Sequence, residues 1–158
     1  MEKIDFRKTL KNLYRPPVEK FVQVDVPPMR YLTVEGAGNP NSVPEYRDAV
    51  EALYSVSYPL KFASKKELGR DYVVPPLEGL WWADDMNAFT QRRKDDWLWT
   101  MMIMVPEWIS PSMIERVIAT VRDKKSMPGL ERLRAQTIAE GRSVQTMYIG
   151  SYDDEGPV

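Results

Sequence analysis

Glu78 is the residue in this chain whose setting most invites chemistry. It stands in an apolar run, Pro76-Leu77-Glu78-Gly79-Leu80-Trp81-Trp82, where an unpaired carboxylate is costly to bury. Beside tryptophans such a group has a raised pKa, so it can take a proton from water or serve as counter-charge to a cation. A partner arginine such as Arg30, or exposure at a bend made by Pro75-Pro76, accounts for it equally well. Glu155, in Tyr152-Asp153-Asp154-Glu155, is the second candidate acid, although an acidic cluster also suits the first turn of a helix. Both are named as catalytic candidates.

Around these acids lies an aromatic set. Trp81, Trp82, Trp97 and Trp99, with Met101 and Met102, fall in two neighbouring strand candidates. Alternation sends Glu78, Leu80 and Trp82 to one face and Trp81 to the other, and puts Trp97, Trp99, Met101 and Ile103 on a shared face. Such a face can be an aromatic wall that stacks flat ligands or holds cations against the ring quadrupole, with methionine adapting to varied shapes. The same pattern suits plain core residues. Tyr46 and Tyr148 are candidates to donate hydrogen bonds to a ligand, or else core tyrosines with satisfied hydroxyls.

Composition narrows the chemistry. The 158 residues contain no cysteine and no histidine, which excludes disulfides, thiolate nucleophiles, imidazole bases and His- or Cys-ligated metals. Catalysis must use carboxylates, tyrosines or lysines, and no metal is expected. With 22 basic and 23 acidic residues the net charge is −1, so no basic field argues for nucleic acid or an anionic membrane. No run approaches the length of a membrane-spanning segment and no signal peptide is evident, so a cytoplasmic location is expected. Gly36-x-Gly38 lacks the third glycine of a dinucleotide loop and there is no P-loop, so no cofactor is expected.

The elements that position these residues are read from periodicity. Residues 1–17 are expected to be a helical arm: Ile4, Phe6, Leu10 and Leu13 lie near helical spacing and Pro16-Pro17 stops it. Phe21–Val26 and Arg30–Glu35 alternate as strands around Pro27-Pro28. The spacing of Ser42 and Glu45 predicts a capping box opening a helix whose face is Tyr46, Val50, Leu53 and Tyr54 and whose regular part ends at Tyr58-Pro59. Strands are predicted over 72–83, interrupted by Pro75-Pro76, and over 97–105. A helix follows Ser110-Pro111, then a second marked by Leu130, Leu133 and Ile138 with Gly141 at its end, then a strand over 143–152.

Several of these segments resemble the GyrI-like small-molecule-binding family: Pro76 to Trp82, Trp97-Leu98-Trp99-Thr100-Met101-Met102-Ile103, Glu140-Gly141-Arg142-Ser143-Val144-Gln145 and Ile149 to Glu155. The resemblance implies an α+β domain over 18–158: an antiparallel sheet with helices on one face, built as a β-α-β-β module followed by a second module from near 143 that is incomplete here. It further implies a cleft for bulky aromatic or cationic small molecules and hydrolysis of cyclopropanoid alkylating compounds by addition of water. A drug-sequestering or ligand-sensing protein without chemistry is the alternative, and a gyrase-interacting inhibitor a remote one. An incomplete module leaves strand edges open, for which a homodimer is one expected remedy.

Overall fold

Two long strands, each broken once, form the spine of the computed structural model, which describes residues 2–85, 87–91 and 93–149. In chain order the elements are β1 (Lys3–Ile4), α1 (Phe6–Thr9), α2 (Lys11–Tyr14), β2 (Val22–Val26), β3 (Met29–Ala37), α3 (Pro44–Ala63), β4 (Asp71–Tyr72), β5 (Glu78–Trp82), α4 (Asn87–Thr90), β6 (Leu98–Val105), α5 (Pro111–Lys124), β7 (Arg134–Ile138) and β8 (Gly141–Gln145). β2 pairs antiparallel with β8, bringing Val26 opposite Gly141, and β3 pairs antiparallel with β7, bringing Met29 opposite Ile138. The register therefore runs through the interruption without a slip. Pro27 and Pro28 cannot donate to a ladder, so the pairing lapses at this point and the sheet divides.

The larger part is a four-stranded antiparallel sheet in the order β5-β6-β3-β7. Its helix-side face carries Leu32, Val34, Trp99, Met101, Ile103 and Val105, which pack against Ala49, Ala52, Leu53, Val56 and Leu60 of α3 and Met113, Ile114 and Val117 of α5. Both long helices thus cover one face, and the α+β class with an antiparallel sheet holds. The other face carries Tyr31, Met102 and Met104, packed by Phe6 and Leu10 of the arm together with Met29, Leu80 and Ile138.

Several local expectations change. The arm is two four-residue helical turns rather than one helix. Asp5 caps the first by accepting from the Arg7 N–H at 3.0 Å, and Phe6 stacks on Trp108 with centroids 5.9 Å apart. Helix α3 starts at Pro44 with Val43 as N-cap and no side-chain cap. Proline's fixed φ suits the first helical position, which moves Glu45 to the second and dissolves the capping box. Pro59 does not end the helix, which continues to Ala63 and then into a π-turn over Ser64–Leu68. Val56 and Ser57 before it and Leu60 and Lys61 after it are buried while Tyr58 and Pro59 face solvent, so packing outweighs the lost backbone bond.

The helix expected from Leu130, Leu133 and Ile138 is a 3₁₀ turn, Pro128–Glu131, followed by strand β7. Leu130 and Leu133 are buried at the sheet's margin, and residues 134–138 pair with β3 instead. Gly141, with φ of 69°, turns the chain into β8 rather than capping a helix. Helix α5 opens at Ser110-Pro111 as expected, and Ser110 Oγ caps it by accepting from the Met113 N–H at 3.2 Å. Ser110→Ala should lower stability by about 1 kcal/mol, read as a reduced midpoint in urea with an unchanged slope.

Among the described residues no helix is long and apolar enough to cross a membrane, and no group of three acidic, cysteine or histidine residues is placed to hold a metal ion.

Candidate functional site

Where the long strands part, a cavity of about 210 Å³ opens. Residues 139–140 lie opposite the proline pair in the register, so Glu140 sits at the mouth of the gap. Glu78 enters from the first residue of β5, on the face of the sheet away from the long helices, because it pairs across from Met102. Tyr14 and Leu13 close the cavity from the arm; Met29 and Tyr31 form its floor, and Val24, Val26, Ser143, Val144 and Gln145 form the far wall. The arm is held over it by the Gln145 side-chain amide, which donates to the Asn12 carbonyl.

The electrostatics of this cavity are unusual. Burial pushes the Glu78 carboxyl up to about 7, repulsion from Glu140 adds to the rise, and a hydrogen bond from Tyr14 partly opposes it. That bond is long, with Tyr14 Oη donating to Glu78 Oε2 at 3.4 Å, so it stabilises the carboxylate only weakly. Burial first, then the charge of Glu78, raises the pKa of both Tyr14 and Tyr31. Both hydroxyls therefore stay protonated at neutral pH and remain donors. Tyr31 reaches the Met29 sulfur at 3.8 Å, a weak acceptor. A carboxyl pushed toward neutrality beside one buried and one half-buried phenol can exchange protons with a bound molecule or water.

The alternative pairing of Glu78 with Arg30 does not occur. Arg30 lies on the helix side of the sheet, where its guanidinium donates to the carbonyls of Pro106, at 3.1 Å, and Ile109.

The aromatic residues are divided by the sheet. Trp81 is paired across from Trp99 and lies on the helix side, 5.7 Å from Trp97 and 6.1 Å from Tyr46, while Tyr46 meets Trp99 edge-on at 5.4 Å. Trp99 is fully buried and Met101 nearly so. The Trp99 indole lies so closely over Gly36 that a β-carbon there would overlap its Cη2. These five form one cluster under α3, on the opposite side of the sheet from Glu78. Trp82 shares the face of Glu78 but at the far end of β5, 38% exposed beside a shallow concavity lined by Leu98, Arg132 and Arg134. Tyr148 is half-buried just beyond the Val18–Met147 bridge. Glu155 lies outside the described residues.

Of the described residues singled out from sequence as site candidates, only Glu78 lines the cavity. Tyr14, Tyr31 and Glu140 were not singled out. The available signal was the shared interruption, Pro27-Pro28 in one strand and the residues before Gly141 in its partner, which marks where a continuous ladder must open.

Known proteins share this fold. The model of the GyrI-like small molecule binding domain matches residues 19–158. An uncharacterized conserved protein from Listeria innocua superposes with a TM-score of 0.86 at 35% identity, over 97% of this chain and 75% of that one. A hydrolase from Listeria innocua superposes with a TM-score of 0.81 at 35% identity, over 96% of this chain and 77% of that one. A hydrolase encoded by lin2189 from the same organism gives 0.84 at 34% identity, over 97% and 75%. No curated protein sequence matches.

Proposed function

We propose, for a chain that belongs to the GyrI-like small molecule binding domain family, that the cavity at the strand break binds the reactive end of a flat, electrophilic molecule and adds water to it. The observation that carries this reading is the placement of Glu78 in this cavity beside Tyr14 and Tyr31, where burial pushes its pKa up to about 7. The substrate class is a cyclopropanoid compound whose strained ring is conjugated to a carbonyl. Glu78, as carboxylate, takes a proton from water while the water oxygen bonds to a ring carbon. The ring C–C bond breaks, its electron pair passes to the carbonyl oxygen, and a tyrosine hydroxyl, Tyr31 or Tyr14, donates a hydrogen bond to the oxyanion until it is protonated from solvent. A strained electrophile requires only this modest assistance.

The cavity, about 210 Å³, is smaller than the roughly 300–1,000 Å³ of a drug-sized site. It accepts the reacting end and leaves the remainder of the molecule outside. Two similar Listeria innocua proteins described as hydrolases support the reaction class. Incubation with a cyclopropanoid compound should yield a product heavier by one water, detected by mass spectrometry above the buffer rate. Saturable binding without such a product would instead favour the sequestering role, for which the cavity's two carboxylates, with no cation among its lining residues, select cationic ligands.

A further inference from the structure

The face of the sheet that carries Glu78 continues beyond the cavity at the strand break. Pairing fixes which side chains share it: Glu78 lies opposite Met102, Met102 opposite Thr33 and Thr33 opposite Arg134, so one row crosses all four strands. Toward the end of β5 the next rows are Leu80, Thr100 and Glu35, then Trp82, Leu98 and Ala37. In the other direction Tyr31, on the cavity floor, stands directly opposite Gln136. Gln136 in turn lines the shallow concavity beside Trp82, of about 400 Å³. Directly opposed side chains on one face start about 5 Å apart, so the two hollows adjoin on one side of one sheet.

The second hollow holds groups that lack partners. Among the described residues Trp82 meets no other aromatic ring, and the Arg134 guanidinium makes no ion pair or hydrogen bond. Arg132, by contrast, is engaged, donating to the carbonyls of Glu35 at 2.8 Å and Glu45 at 3.5 Å. Buried Thr33 and half-buried Leu98 lie between Arg134 and Trp82. Glu35 is the one carboxylate among the lining residues, beside two arginines, a balance that suits a neutral ring with an acceptor better than a cation. The hollow thus offers an open indole face, a partly apolar floor and a guanidinium ready to donate.

We propose that this hollow is the second half of the substrate site, which rests on the reading of Glu78 as the base, and that the substrate is an elongated molecule of two or more linked flat ring systems. The reacting ring enters the cavity beside Glu78. The next ring system, too large for that cavity, lies along the same sheet face against Trp82, and Arg134 donates to a carbonyl carried by it. At about 3.3 Å per residue along β5 and about 4.8 Å between strands, the backbones of Trp82 and Arg134 each lie about 13 to 14 Å from that of Glu78. Two linked bicyclic units span such a distance. Trp82 and Arg134 therefore determine specificity, while the reaction itself stays with Glu78 and the tyrosines.

Two probes test this: a cyclopropanoid whose electrophilic ring system carries only an acetyl amide, and the same unit joined through an amide to an indole. The parent should hydrolyse the longer compound with a kcat/KM at least about tenfold above that for the shorter, and this preference should fall by about tenfold in Trp82→Ala and in Arg134→Ala, the order of one lost ring contact or hydrogen bond. Both side chains are exposed, so the variants should fold, which unperturbed core amide resonances would verify. Equal handling of the two compounds by the parent, or a preference that survives either substitution, overturns the proposal and leaves the role of Glu78 intact. If neither compound is hydrolysed, the role of Glu78 fails, and the indole amide alone, at millimolar concentration, decides the hollow. Saturable shifts of the Trp82 indole N–H and of β3 and β7 amides would then support it; no shift, or shifts confined to the Glu78 cavity, would overturn it.

Discussion

Glu78→Gln should reduce water addition to a cyclopropanoid compound by about 10²- to 10⁴-fold, the usual contribution of a positioned general base, while leaving binding of the same compound within a few-fold. Glutamine preserves the shape of the side chain and its contact with Tyr14 but cannot take a proton from water. The parent protein should show a rate that rises with pH and reaches half its plateau near pH 7, where the carboxyl ionises; the residual rate of the variant should lack that inflection. Initial rates by chromatography, with binding measured by calorimetry, separate the two effects. A variant that turns over at the parent's rate removes Glu78 from the mechanism.

The same substitution should stabilise the fold at alkaline pH. A glutamate that titrates at 4.5 when exposed and near 7 when folded binds its proton more tightly in the native state. Its favourable contribution is complete below about pH 4.5 and is lost as the pH rises through about 7, because there the native state must hold an ionised carboxylate in a poorly solvated place. The displacement is worth up to about 3 kcal/mol, reduced by the solvent that still reaches this half-buried group. Glu78→Gln should therefore match the parent near pH 4 and exceed it by as much as that amount above pH 8. Carboxylates held low by cationic partners, Asp71 by Lys61 and Glu67 by Arg116, have the opposite pH dependence but are common to both proteins and cancel in the difference. Urea unfolding at a series of pH values measures it. A constant difference across the range would mean that Glu78 ionises normally.

Loss of turnover together with gain of stability at one position would show that the fold tolerates a poorly solvated acid for the sake of chemistry. Either result alone has simpler explanations.

How far the sequence revealed these features depended on the range of the interactions involved. Strands with clean alternation, β3 and β6, and helix α5 with its Ser110 cap were legible because their signals are local. β7 was not: Leu130, Leu133 and Ile138 fall near helical spacing, and only the vacant side of β3 decides that residues 134–138 extend. Glu78 stood out because an acid in an apolar strand is conspicuous by itself. Alternation grouped Trp97, Trp99 and Met101 correctly, yet a period of two does not say which face the helices will cover. Tyr14 and Glu140 meet Glu78 only through the docked arm and the pairing of β7 and β8 with distant strands, which no short window contains.

The unbroken register across Pro27-Pro28 makes the two long strands a single ruler. A one-residue deletion in β3 or β7 should either be taken up at the unpaired break around Pro27-Pro28 or carry the offset past it and reverse the facing of Val24, Val26 and Ser143 in the cavity wall, which hydrogen-exchange protection of β2 and β8 would distinguish. In the second case length in these strands is under tighter constraint than side-chain identity, and insertions should be tolerated in the connection between β5 and β6 long before they are tolerated here.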